Sequence, residues 1–224
     1  MSLLSNLELL RRVPIFSALT ESQTVELANA VTKRRVKRGE LIVEQGKQSR
    51  TLFIILSGRA RVFMTDQKER SIILAVLETG DYIGEISLFD GKSHSANVQA
   101  EVQTDLLTLS YTEFRHCLTK NPAIADSVIK EFAKRLRKAN EKISSLALMD
   151  VYGRVAKLLV SFSEPAGDRL MVIRRKVSRQ DIGKMVGATR ETVSRVMRDF
   201  EQKGFIKTHS DGAISIRERR SLPR

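Results

Sequence analysis

Cysteine is almost absent: Cys117 stands alone in 224 residues, and histidine occurs three times, as His94, His116 and His209. One thiol cannot close an internal disulfide, and scattered imidazoles with one thiolate do not make an iron–sulfur or structural zinc site. The chain also lacks any run near the roughly 18 apolar residues that a membrane-crossing helix needs. Its first residues, MSLLSNLELLRRVP, do not show the basic-then-apolar order of a secretory signal, which leaves the cytoplasm as the expected compartment and no membrane as a partner. No Ser/His/Asp set, Walker-type phosphate loop or defined carboxylate pair is present, so an enzyme is not expected.

Acidic residues are also in deficit. There are 39 Lys and Arg against 26 Asp and Glu, a net charge of +13. The excess is uneven: residues 151–224 hold 17 basic against 8 acidic residues, while residues 1–150 hold 22 against 18. The C-terminal third therefore faces a polyanion or simply carries a solvated basic surface, and charge alone does not decide between them. With 42% hydrophobic and 29% charged residues the chain has an ordinary globular composition, and its length suits two modest cores.

Residues 1–30 read as short helices, broken at Pro14, with Thr20 capping a helix whose apolar face is Val25, Leu27 and Ala28. From Arg35 to Leu109 the pattern turns to short apolar runs, ELIVEQG, TLFIILSG, RARVFMT and SIILAVLETG, punctuated by Gly39, Gly46, Gly58, Gly80 and Gly91. Short strands with glycine turns predict an antiparallel roll or barrel. After Ser110 the period is helical. Ile129, Phe132, Leu136, Ala139, Ile143 and Leu146 recur at spacings of 3, 4, 3, 4 and 3, a seam that predicts pairing with a second copy of the chain. Asp150 is placed to cap the next helix, making Leu148–Val151 an expected hinge, and Glu164–Asp168 (EPAGD) reads as a turn-rich connector.

The run VSRQDIGKMVGATRETVSRVMRDFEQKGFI carries the strongest local signal. Ser178 with Asp181 begins a short helix that buries Ile182 and Val186. Gly187 turns the chain, and Thr189 caps a second helix with Val193, Val196 and Phe200 inward. This is a helix-turn-helix, and FIKTHSDGAISIRE supplies a hairpin wing turning at Ser210–Gly212. Outward on the second helix stand Arg190, Glu191 and Arg195. Arginine can grip guanine O6 and N7, and a carboxylate can accept from cytosine N4, each good pair discriminating by about 1–3 kcal/mol. Arg179, Gln180, Thr189 and Thr192 would contact phosphates, positioning the duplex without reading it.

The order of glycine-punctuated roll, long helix, hinge and winged helix-turn-helix, with SRQDIGKMVGATRETVSRVM, resembles the CRP/FNR family of bacterial transcription regulators from about Ile15 to Ile216. The resemblance implies an α+β chain: a cyclic-nucleotide-binding-type β-roll (1–121), a dimerisation helix and hinge (122–149) and a winged helix-turn-helix DNA-binding domain (150–224). It implies Arg190, Glu191 and Arg195 as base readers, a homodimer on palindromic double-stranded DNA with TGTGA-like half-sites, RNA polymerase as partner, and transcriptional activation.

In family members that bind cyclic AMP, a phosphate cassette runs glycine, glutamate, apolar residues, then arginine and serine. The chain matches it at Gly84, Glu85, Ile86, Leu88, Phe89, Ser95, Ala96 and Val98, so the resemblance implies that Glu85 meets a ribose hydroxyl and Ser95 a phosphate oxygen. The arginine position holds His94. Arginine is always charged and bidentate, whereas histidine is largely neutral at cytoplasmic pH. Losing one partner of a buried charge pair costs about 2–5 kcal/mol, roughly thirty-fold to several thousand-fold in affinity. Where those relatives present a threonine and a serine to adenine, this chain has Ala139 and Asn140. Three readings of the pocket stand: a vestige, with His94 even a plain surface-loop residue beside Lys92; a site for a cyclic dinucleotide or another small anion; or a cyclic-AMP site using protonated His94. A rival from another class is a nucleotide-sensing module whose basic domain contacts RNA or a protein partner. Oxygen and haem sensing lack ligands, and Cys117, His116 and His209 read as structural.

Overall fold

The computed structural model describes residues 7–217 apart from 9, 12, 17–18 and 167–169. It forms two compact units, residues 1–136 and 137–224. Gly167 and Asp168 of the expected connector, and Glu218 at the end of the wing segment, lie outside the described residues.

In the first unit, helix α1 (Glu21–Ala30) opens with a capping box: the Thr20 side chain accepts from the Gln23 N–H, and the Gln23 side chain accepts from the Thr20 N–H. Eight strands follow: β1 (Thr32–Val36), β2 (Leu41–Val43), β3 (Thr51–Ser57), β4 (Ala60–Thr65), β5 (Ser71–Leu77), β6 (Tyr82–Ile83), β7 (Asn97–Ala100) and β8 (Thr104–Ser110). They pair antiparallel in two four-stranded sheets, ordered β1-β8-β3-β6 and β2-β7-β4-β5. The roll thus starts earlier than Arg35, because β1 is an edge strand of charged residues, TKRRV, with no apolar alternation to announce it.

β3 explains the unbroken apolar run LFIIL. Phe53 and Ile55 join the core with Val36, Ile42, Val98 and Leu106, while Leu52 and Ile54 join Leu27, Leu107, Leu109, Phe114, Ile124 and Val128. A strand buried on both faces carries apolar residues at every position rather than every second one. Among the helices that cover the second face are α1, α3 (Tyr111–Lys120, capped by Ser110) and the beginning of α4 (Pro122–Leu148).

In the second unit, the Asp150 carboxylate accepts from the Gly153 N–H at 2.8 Å and starts helix α5 (Val151–Ser161). From α5, Arg154 Nη1 donates back to the Leu146 and Met149 carbonyls at 3.1 and 3.3 Å, filling acceptors that the end of α4 leaves open. Strands β9 (Glu164–Pro165), β10 (Leu170–Ile173), β11 (Ile206–Thr208) and β12 (Ile214–Arg217) form an antiparallel sheet ordered β11-β12-β10-β9. The expected two-stranded wing is therefore half of a four-stranded sheet. The missed half is short, and LMVI lacks a turn signal of its own. Helices α6 (Arg179–Val186) and α7 (Arg190–Gln202) pack with α5 around Val155, Leu159, Ile173, Ile182, Val193, Val196 and Met197. Among the described residues, no helix is long and apolar enough to cross a membrane.

Candidate nucleic-acid interface and effector cassette

The turn between α6 and α7 is set by local chemistry. Ser178 Oγ accepts from the Asp181 N–H at 3.0 Å and donates to Asp181 Oδ2 at 2.7 Å, fixing the start of α6. Gly187, with φ of 68°, ends it in the left-handed conformation that glycine adopts without strain. Gly183 is needed for another reason: a Cβ there would stand 2.6 Å from the Ala188 carbonyl oxygen, so the turn can fold back only over a bare Cα. Thr189 Oγ1 then accepts from the Thr192 N–H at 3.2 Å and starts α7.

α7 has two faces. Val193, Val196, Met197 and Phe200 are buried, and Phe200 makes edge contacts with Tyr152 and Phe205. On the other face Arg190, Glu191 and Arg195 are exposed. Among the described residues, none of their side chains has a hydrogen-bond or ion-pair partner. Gln180 is exposed, and the Thr189 and Thr192 hydroxyls lie 3.0 Å from each other at the helix start. Arg179 is half-buried: burial lowers its pKa from the ordinary value, while Glu201 acts in the opposite direction. A rigid, capped helix with unspent guanidinium and carboxylate groups on its first two turns can offer them to base edges.

The cassette in the first unit is differently disposed. Gly84 has φ of 94°, and a Cβ on it would lie 2.7 Å from the Thr51 carbonyl oxygen. It leads into the short helix α2 (Glu85–Asp90), where Glu85 is 3% exposed. The Glu85 carboxylate is taken by Arg135 of α4 through Nη1, while Arg135 Nη2 donates to the Tyr82 carbonyl at 3.1 Å. The guanidinium also lies 4.5 Å from the centre of the Tyr82 ring. Burial holds the Glu85 carboxyl above the ordinary carboxylate range against the pull of Arg135, and burial also pushes the Tyr82 hydroxyl up.

His94 is 6% exposed, which overturns the surface-loop reading. Its Nε2 lies 2.8 Å from Ser49 Oγ and its Nδ1 2.8 Å from Ser87 Oγ, so both ring nitrogens are occupied by neutral hydroxyls. Its backbone joins the Gly46–Lys47 turn, donating to the Lys47 carbonyl at 2.8 Å and accepting from the Gly46 N–H at 2.9 Å. Burial lowers the imidazole's pKa from its ordinary 6.5. No anion is needed to satisfy this ring. Ser95 and Ile86 are exposed, and Phe89 is half exposed against the Phe114 and Phe132 rings.

Along α4 the six seam residues divide. Ile129, Leu136 and Ile143 are about two-thirds exposed, and Ala139 and Asn140 are also exposed. Phe132 packs on the roll's core, and Leu146 reaches to 3.3 Å from where a Cβ on Gly187 would stand. Arg135, Ser49 and Ser87 were not anticipated. Arg135 sits one residue before Leu136 with nothing to distinguish it from its basic neighbours, and Ser49 is 45 residues from His94. Among the described residues, no cluster of His, Cys, Asp or Glu could hold a metal ion.

Residues 33–121 match the family model described as cyclic nucleotide-binding domain, and residues 153–224 match the Crp-like helix-turn-helix domain. The cAMP-activated global transcriptional regulator CRP of Salmonella typhimurium is 34% identical over 176 residues, covering 75% of this chain and 81% of that one. The cAMP-activated global transcriptional regulator Vfr of Pseudomonas aeruginosa is 32% identical over 185 residues, covering 78% and 84%. In fold, the chain is similar to CLP, the c-di-GMP responsive global regulator of Xanthomonas campestris, with a TM-score of 0.78 at 21% identity over 89% of this chain and 100% of that one. Matches to both domains in this order, and a relative above 30% identity spanning three quarters of the chain, establish that it belongs to the CRP/FNR family of transcription regulators and carries their helix-turn-helix DNA-binding domain.

Proposed function

We propose that the protein is a cytoplasmic homodimer that binds a palindromic, TGTGA-like operator and does so without cyclic AMP. The observation that carries the DNA reading is the exposure of Arg190, Glu191 and Arg195 on the first turns of α7 with no partner among the described residues. In this reading those three side chains read base edges, and Arg179, Gln180, Thr189 and Thr192 hold the phosphates. Exposed Ile129, Leu136, Ala139 and Ile143 pair α4 with its copy, which would place two α7 helices one helical turn of DNA apart. The roll is then residues 1–121, the dimer helix and hinge 122–149 and the DNA-binding domain 150–224, with Leu148–Val151 as the hinge and RNA polymerase as the partner in activation.

Independence from cyclic AMP rests on the saturation of the cassette. Two relatives are named as cAMP-activated. Here the position of the phosphate-gripping arginine is a buried imidazole already bonded to Ser49 and Ser87, and the ribose-binding carboxylate is held by Arg135. A ligand would have to break these bonds and protonate His94 against its burial.

Fluorescence anisotropy of a labelled TGTGA/TCACA palindrome, titrated at fixed salt with no nucleotide, then with cyclic AMP or cyclic di-GMP, tests both parts. Specific binding unmoved by cyclic AMP is the expected result. Tightening by cyclic AMP would overturn the effector reading, and a response to cyclic di-GMP alone would make the roll a cyclic-dinucleotide sensor. Equal affinity for the palindrome and a scrambled duplex would favour an RNA or protein partner instead.

A further inference from the structure

A second basic site lies away from both places already described. The last turns of α4, the middle of α5 and the end of α6 enclose an open cleft of about 190 Å³ in the second unit. Lys138 and Lys142 of α4 line it, opposite Arg154 and Lys157 of α5, with Leu158 and Met185 among its apolar lining residues. Four cations share this cleft with a single carboxylate, Glu141. Among the described residues, Lys138, Arg154 and Lys157 have no carboxylate partner. Arg154 spends Nη1 on the carbonyls at the end of α4, and its Nε is shut from solvent with no hydrogen-bond partner. Burial pushes the Lys142 ammonium below its ordinary pKa.

Like charges gathered in a partly desolvated cleft repel one another, and an orphaned buried N–H costs free energy until an acceptor meets it. A multiply charged oxyanion meets both demands, since each of its oxygens accepts charge-assisted hydrogen bonds. Size limits the rest. The cleft is smaller than the roughly 300 Å³ at which pockets for drug-sized molecules begin, so it admits a phosphate head and leaves the body of the ligand at the mouth. Lys138, Glu141 and Lys142 lie off the Ile129–Leu146 seam, and Leu146 is the one seam residue that lines the cleft.

We propose that this cleft binds the phosphate or pyrophosphate head of a small phosphorylated metabolite, held by Lys138, Lys142, Arg154 and Lys157. The test is isothermal titration calorimetry of the full chain with ADP, inorganic pyrophosphate and adenosine, repeated on the double variant Lys138→Gln/Lys157→Gln and on Lys142→Met. Both lysines of the double variant are exposed, so the fold is retained, and a thermal melt verifies it. One saturable site per chain for ADP or pyrophosphate, none for adenosine, and about tenfold weaker binding for each lysine removed are expected. Binding of both anions identifies the head group as the element recognised, and binding of ADP alone identifies a nucleotide as its source. The proposal is overturned by no saturable binding at millimolar ADP and pyrophosphate, or by equal binding of adenosine. It is equally overturned by affinity that survives the double substitution, which places the ligand elsewhere. A double variant that loses duplex affinity while the wild type binds neither anion would make the cleft a DNA-backbone contact.

Discussion

In the roll, Arg135 closes off Glu85, and both nitrogens of His94 are spent on serine hydroxyls, whereas on α7 the Arg190, Glu191 and Arg195 side chains stand exposed and unpaired. Both regions match a family model, although the cassette carries His94 where the family pattern has arginine. Their physics differs. A buried polar group must find its partner inside the fold or carry a desolvation cost, so an internally saturated site resists a ligand. An exposed charge on a rigid helix costs little to leave unpaired in water and keeps its bonding capacity for a partner. Matching a motif therefore identifies the residue types, and the state of their hydrogen bonds indicates whether they remain available.

The contrast can be broken most directly at Gly183. Gly183→Ala drives a Cβ against the Ala188 carbonyl, backbone that no rotamer change can relieve, and should destabilise the helix-turn-helix by about 3 kcal/mol. Hydrogen exchange is expected to accelerate across α6 and α7 and to leave β3 and β8 unchanged. Equal acceleration in the roll would mean that the two units do not unfold separately.

Next in size, Arg190→Ala should weaken binding to the palindrome by about 1–3 kcal/mol and leave a scrambled duplex almost untouched, whereas Arg179→Ala should weaken both alike. Anisotropy titrations of the two variants on both duplexes check this. If the two variants lose affinity in the same pattern, the division into base readers and phosphate contacts fails.

In the roll, the corresponding substitution should act on stability and spare DNA. His94→Ala leaves the Ser87 hydroxyl buried without its imidazole partner and should cost about 1–3 kcal/mol in urea unfolding, with duplex affinity unchanged. Loss of DNA binding at full stability would show that the cassette still controls the other domain.

The smallest effect is the pH dependence of the same ring. Because burial lowers the folded pKa of His94 below the ordinary 6.5, the unfolded chain binds a proton more readily. Its contribution to stability is fully present above 6.5 and is lost as pH falls from there through the depressed folded value. Urea midpoints measured across this range should fall on acidification, and His94→Gln should flatten that part of the slope.

Much of the architecture was legible because it is local. The helix starts at Thr20, Asp150, Ser178 and Thr189 each rest on a side chain accepting from a backbone N–H three residues later, a relation that sequence spacing displays directly. The helical period after Ser110, the glycine turns and the exposed face of α7 are likewise properties of neighbours along the chain. β1 and β10 were missed because an edge strand of charged residues and a four-residue strand carry too little pattern.

The state of the cassette was not legible. His94 meets Ser49 across 45 residues where its backbone joins the Gly46–Lys47 turn, and Glu85 meets Arg135 across 50 where α2 meets α4. The same packing turns Phe132 from the seam onto the core and leaves Ile129 and Leu136 outside. By itself, the sequence determined the order of elements, the helix caps, the basic C-terminal third and the outward-facing charged residues at the start of α7, because each depends on local spacing or on composition. Only the tertiary structure decided that the histidine in arginine's place is buried with both ring nitrogens on serine hydroxyls and that the cassette's carboxylate is already paired. Hydrogen-bond satisfaction is a property of what lies next to a group in space, and chain neighbours do not encode it.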